Sequence, residues 1–443
     1  MARYDRKNRM PASSLTQTDP QRQNLSDDPV PQDQLLSTVE DVLSSTSFID
    51  MHTHLFSPAL GKLGLWGIDE LITYHYLEAE FFRHSEMSPE QYWTLTKTQR
   101  ADHIWQTLFL ENTPVSEATR GVIAVLQAFG LPTEGSDLRE ARAFFAEQTI
   151  DAHIQRVFDM AGMKIAVMTN DPLDPEEAPA WMQGVAQDAR FQAVLRLDRI
   201  LTGWSDHWSK LEAQGYKVDA NAGGRSITEV RRFLADWYKR LSPVYMAVSL
   251  PDRFMYPEDS LLIRILSEAV LPTCRELDLP LSLMIGVRKQ VNPRLRLAGD
   301  AVGRANLVAL ENLCSDFPEN RFLVSVLSRE NQHELCVYAR KFSNLMPFGC
   351  WWFLNNPSIV EEITRERLEL LGTSFIAQHS DARVLEQVIY KWRNTRATMA
   401  PILAHSYQLL LRDGRSVTRE DIQRDVKRLF CSNFAHWTKQ TAD

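Results

Sequence analysis

Cysteine is scarce in this chain and is spaced for no cross-link. Its five thiols, Cys274, Cys314, Cys336, Cys350 and Cys431, form no CxxC pair and are odd in number. That excludes a disulfide framework and a structural zinc ribbon, and leaves reduced, mostly buried thiols as the expectation. Long apolar runs are missing too. Nothing approaches the roughly 18 residues that a bilayer span needs, and no apolar segment near the N-terminus could serve as a secretory core. The expected location is the cytoplasm, with no membrane partner. Positive charge is not in excess: the formal net charge is -8. Charges of both signs are scattered without a long run of either, so no nucleic-acid partner is expected. Neither GxGxxG after an early strand nor GxxxxGK[ST] occurs, which removes the usual support for a nucleotide-binding sheet. No repeat of fixed period is evident.

What is present is an ordinary globular composition, 44% hydrophobic and 24% charged over 443 residues, enough for a large core. Residues 1–33 are polar, Pro- and Ser-rich and nearly free of large apolar side chains. They read as a flexible lead-in or, alternatively, an arm draped over a neighbouring subunit. Residues 34–443 read as one domain. A short helix is expected over Gln34 to Ser44 and a short buried strand over Ser47 to Met51. Residues 67–150 are helical in pattern with no convincing strand, a long insertion after the first strand. Apolar runs suited to buried parallel strands then recur: Lys164 to Met168, Gln192 to Arg196, Tyr245 to Ser249, Leu281 to Ile285, Phe322 to Leu327, Leu345 to Phe348 and Ser374 to Ala377. Helical stretches separate most of them. Strand and helix alternating about eight times favour a closed parallel barrel or a doubly wound sheet, an α/β fold in either case.

The sharpest chemical feature is His52-Thr53-His54, directly after the strand SFIDM. In extended backbone, residues i and i+2 point the same way, so both imidazoles can converge at the C-terminal end of a strand. Neutral imidazole is the commonest ligand of zinc and similar ions; incidental turn histidines are the alternative. Asp381, in QHSDAR beyond SFIA, would sit beside the first strand if the barrel closes. It could bind the same ion or act as a general base, or it could simply cap the helix expected from Val384 to Arg396. Tyr74-His75-Tyr76 sits in an amphipathic context that also suits a core-facing aromatic patch. Trp351 and Trp352, in GCWWF, either wall a pocket or pack beneath the barrel helices.

Taken in order, HTH, YHY, GCWWF, SDAR and CSNFAHW resemble the uronate isomerases, a divergent branch of the amidohydrolase superfamily. The likeness runs from about residue 34 to 437. It implies a distorted (β/α)₈ barrel holding one divalent metal ion, usually zinc, through His52, His54 and Asp381. It further implies catalytic roles for Asp381, Arg383, His75 and Tyr76. Arg196 would clamp a substrate carboxylate, with Asp219, Trp351, Trp352 and Arg329 also binding substrate. MTNDP, Met168 to Pro172, resembles the family's TDDP loop. The implied reaction is aldose–ketose isomerisation of a hexuronate through a cis-enediolate, and a small sugar acid is the implied partner, with a homo-oligomer left open. Met284 stands where the family carries a substrate-contacting histidine, and a thioether neither titrates nor donates a strong hydrogen bond. Hydrolysis or decarboxylation of a related carboxylate, or ligand binding without catalysis, therefore stay as alternatives.

Overall fold

β-Branched and aliphatic runs, buried on both faces, pair in parallel through the computed structural model, which describes residues 28–440. The first 27 residues of the polar lead-in lie outside the described residues. Its last residues are docked: Val30 is buried, and its N–H donates to Val417 O at 2.8 Å.

Among the described residues nine strands are present: β1 (Phe48–Asp50), β2 (Met163–Val167), β3 (Phe191–Gln192), β4 (Leu195–Arg196), β5 (Met246–Pro251), β6 (Leu281–Arg288), β7 (Ala301–Val302), β8 (Phe322–Val326) and β9 (Leu345–Pro347). One sheet runs β1-β2-β3 and the other β4-β5-β6-β8-β9, every neighbour parallel except β7, which pairs antiparallel with β6. A parallel bridge from Asn170 to Leu195 joins the two sheets, and another joins Phe348 to Ile376. The ring is completed by single hydrogen bonds instead of a ladder: His54 N donates to Ala382 O at 2.7 Å and Asp381 N to His52 O at 3.2 Å. The result is a distorted eight-position βα barrel.

Two strand expectations need adjustment, and one hairpin was not foreseen. Gln192 to Arg196 is not one strand: it divides into β3 and β4 at Ala193 and Val194, where Val194 N donates to the Asn170 side chain at 3.3 Å. Ser374 to Ala377 forms only the bridge at Ile376, because the chain there leaves extended geometry to build the 378–386 loop. The β6–β7 hairpin had no counterpart in the apolar pattern, β7 being two residues long and partly exposed.

Every described helix or strand between β1 and β2 is helical, from Ile68–Ile72 to Ile150–Ala161. Ser88 with Gln91, and Thr96 with Gln99, form reciprocal capping boxes that fix two of these starts. The last long helix is Gln387–Arg412, longer than expected and beginning three residues later. It packs against Leu35–Ser45, Glu117–Ala128, Ile150–Ala161 and Pro357–Leu371, and so ties the helical insertion to the barrel. Its Trp392 stacks on Phe48 of β1 with ring centroids 3.6 Å apart. All five cysteines are free and buried. No helix among the described residues is long and apolar enough to cross a membrane.

Candidate metal centre and active site

Extended backbone continues past β1 and delivers the two histidines. Thr53 is turned outward and pinned to the end of β2, its N–H and hydroxyl both reaching Val167 O at 2.9 Å. Strand alternation then turns His52 and His54 the other way, toward the barrel mouth. The Tyr245 hydroxyl donates to Met51 O at 2.5 Å and lies 3.5 Å from His52 Nδ1, which leaves His52 Nε2 facing the cleft.

Asp381 arrives from the opposite end of the chain. It adopts a left-handed conformation, φ 51°, unusual for a residue with a side chain. Two buried groups hold the loop there. Asp50 accepts from Ser380 N at 3.0 Å and from Trp392 Nε1 at 2.8 Å, while Lys391 Nζ donates to Ser380 O at 2.7 Å. The helix that follows starts only at Gln387, and the side chain of Gln387 itself accepts from Arg383 N and Val384 N. Asp381 is therefore no helix cap.

Asp381 Oδ1 lies 3.6 Å from His52 Nε2 and 3.4 Å from His54 Nε2. One ligand atom from each of the three residues falls within 4.8 Å of the others. Burial pushes both imidazoles down, His52 to about 3 and His54 to about 4, the latter helped by the Arg383 guanidinium. Both are neutral near pH 7 and hold free lone pairs. Burial works against the charge on Asp381 as well, but contact with His54 and attraction from His52 outweigh it and hold the carboxyl well below its usual range. Asp381 Oδ1 is buried and makes no hydrogen bond. Two imidazole nitrogens and a carboxylate oxygen facing one point, with that oxygen otherwise unpartnered, fit a divalent metal ion.

These three residues line a narrow cleft at the barrel mouth, together with Thr169, Ser249 and Met284. His75 enters it from the helical insertion. Its Nε2 is buried without a partner, its ring meets Trp352 edge-on at 5.8 Å, and burial holds its pKa well below the ordinary value. Tyr76 lies behind it, ring against Tyr74 and hydroxyl buried and unpartnered. Trp351 and Trp352 wall one side, so the pocket alternative for GCWWF holds, and Arg383 lines the cleft beside Asp381.

No protein-family model matches this chain, and no curated protein does. Solved structures do. A uronate isomerase from Bacillus halodurans C-125 is 48% identical and superposes with a TM-score of 0.91, over 93% of this chain and 98% of that one. The chain belongs to the uronate isomerase family. Two further structures, a uronate isomerase from Thermotoga maritima (15% identical, TM-score 0.74, 91% of this chain and 97% of that one) and a glucuronate isomerase from Caulobacter crescentus (13%, 0.66, 95% and 97%), share the fold.

Against that family background, two expected substrate contacts fall outside the cleft. Asp219 is exposed and organises the loop into the Gly224–Leu241 helix, accepting from Asn221 N at 2.9 Å and Ser226 Oγ at 3.0 Å. Arg329 is half exposed and paired with Glu362 at 2.9 Å, on the outer side of the Pro357–Leu371 helix. Arg196 is in the cleft, but its Nε and Nη2 are already engaged by both oxygens of Asp198, each at 2.9 Å. Burial opposes the charge on Arg196, and the Asp198 carboxylate more than restores it.

Asp198 and Lys289 also line the cleft and were not singled out from the sequence. For Asp198 a signal existed, since it stands two residues beyond Arg196. His379 was missed as well. It is fully buried, its ring 5.4 Å from His52, and it packs so closely on Gly349 that a Cβ there would lie 1.9 Å from His379 Nδ1.

Proposed function

We propose that this protein is a metal-dependent aldose–ketose isomerase of hexuronates, of the glucuronate-to-fructuronate type. The observation that carries this is the convergence of His52, His54 and Asp381 at the floor of a cleft whose other ionised side chains are mostly cationic. Two nitrogen donors and one carboxylate suit zinc, which we take as the ion. When bound, the ion polarises the substrate's carbonyl and neighbouring hydroxyl oxygens.

The chain's own groups divide the remaining work. Isomerisation removes the proton on C2, shifts the hydroxyl proton from O2 to O1, and returns a proton to C1 of the enediolate. His75 is a neutral imidazole with a free Nε2 in the cleft, suited to accept the carbon-bound proton and give it back. Asp381, ionised, suits the exchange between the two oxygens. Burial keeps the Tyr76 hydroxyl protonated, its pKa well above the ordinary value, and from behind His75, ring centroids 4.7 Å apart, Tyr76 braces that imidazole. Arg383 orients the oxygens near Asp381. Trp351 and Trp352 exclude water from the enediolate.

The test is incubation of the metal-analysed protein with glucuronate and with galacturonate, followed by NMR. Ketose signals from either sugar support the reading. A protein carrying one metal per chain that forms no ketose from either contradicts it.

A further inference from the structure

Strand β6 carries Met284, and Lys289 follows its last residue, five positions further on. In a regular strand such residues lie on opposite faces, yet both line the cleft. The reason is an extra residue. Leu250 of β5 pairs with Ile285 and Pro251 with Val287, so Gly286 is bulged out of the ladder, at φ 123°. From there the alternation is reversed. Met284, Val287 and Lys289 face the cleft, and Arg288 turns outward, half exposed and 3.8 Å from Asp252.

Lys289 is held ready for a ligand. The buried Asp300 carboxylate takes one of its hydrogen bonds at 2.9 Å and also accepts Gln290 N at 2.8 Å. Two of the three ammonium donors are left. The ammonium lies 5.6 Å from the centre of the Trp352 ring, across the cleft mouth. The surrounding groups call for an anion. Three cations, Arg196, Lys289 and Arg383, line the cleft against two carboxylates, Asp198 and Asp381. Arg196 has its fork occupied by Asp198, and Met284 offers β6 no polar contact deeper in.

We propose that Lys289, turned inward by the Gly286 bulge, anchors the substrate's carboxylate at the cleft mouth and selects sugar acids over neutral sugars. The identity of the sugar acid rests on the hexuronate isomerase reading above. A compact ammonium donating two bonds to a carboxylate is a strong, charge-assisted contact.

The experiment compares wild type, K289M and K289R on glucuronate and on its neutral amide, with calorimetric binding of glucarate, which has carboxylates but no reducing carbonyl. K289M is expected to raise KM for glucuronate about tenfold or more, with a smaller change in kcat, and to lose most of the preference for acid over amide. K289R is expected to retain most of that preference. If wild type isomerises glucuronate and K289M matches it in KM and in acid preference, the anchor is overturned while the isomerase reading stands. If wild type isomerises no uronate, that reading falls, and the anchor is decided by glucarate alone. Binding weakened about tenfold in K289M supports it; equal binding, or none to either protein, overturns it.

Discussion

Glu177 shows how one buried residue sets a pH dependence. Its carboxylate accepts from Asn170 Nδ2, Asp171 N and Trp181 Nε1, bracing the loop beside Arg196. Burial nonetheless dominates and lifts its pKa from 4.5 to about 7. A folded value above the unfolded one means that stability is full below about 4.5 and is lost as pH rises through about 7, by about 3 kcal/mol from this group. Urea unfolding of wild type and Glu177→Gln between pH 4.5 and 8 checks this: the variant's total loss of stability over that range should be smaller by that amount, and equal losses would remove the assignment. At this scale the sequence was legible where chemistry depends on local spacing. His52 and His54 converge because strand alternation aligns them. Asp381 met them because the ring closes. Asp219 and Arg329 were misplaced because each rested on a motif resemblance alone, and no local geometry tied either to the barrel mouth.

Among the elements, β6 depends most on a single backbone position. A Cβ on Gly286 would come within 3.0 Å of Gly303 O and of Leu327 Cβ, at a φ that side-chain residues rarely adopt. Gly286→Ala should destabilise the fold by about 1–3 kcal/mol. It should also weaken sugar-acid binding, because the reversed alternation beyond the bulge would be disturbed. Thermal and urea unfolding give the first quantity and substrate titration the second; an unperturbed variant would show that the bulge is not needed. The bulge explains why Lys289 escaped notice in the sequence, where simple alternation turns it away from Met284's face. The same limit applies to β3 and β4, where a continuous apolar run gives no sign of the break at Ala193 and Val194. Long amphipathic helices and fully buried strands such as β8 were legible, since periodicity and composition agree over their whole length.

Over the whole molecule, the helical insertion and the barrel meet at a fully buried pair. His153 Nε2 lies 2.7 Å from Glu386 Oε1, which also accepts Gly67 N at 3.0 Å, and Trp66, Phe129 and Phe145 enclose the imidazole. Glu386 stands five residues beyond Asp381, so this contact ties the insertion to the loop that carries the metal-site carboxylate. Farther out, Trp93 Nε1 donates to Arg294 O at 2.8 Å and Arg294 pairs with Glu90, joining the insertion to the hairpin that bears Lys289. Glu386→Ala leaves two buried groups without partners, and a loss of about 3 kcal/mol is expected. Substrate affinity should fall with it, read by chemical denaturation and by KM. A loss below about 1 kcal/mol would show that the His153–Glu386 pair is not what holds the insertion to the barrel. Sequence pattern revealed the insertion as helical, but its attachment depends on partners some 230 residues apart, which no local pattern reports.

We propose that His52, His54 and Asp381 hold an ion that enables proton transfer on a uronate. The most direct test is solvent deuterium incorporation into glucuronate by the native protein, the chelator-stripped protein, the same protein resupplied with zinc, and Asp381→Asn. Exchange is expected in the first, a fall of at least about a hundredfold on stripping, recovery with zinc, and none in the variant even with zinc present. Exchange that survives both metal removal and Asp381→Asn would rule the ion and its carboxylate ligand out of the proton transfer.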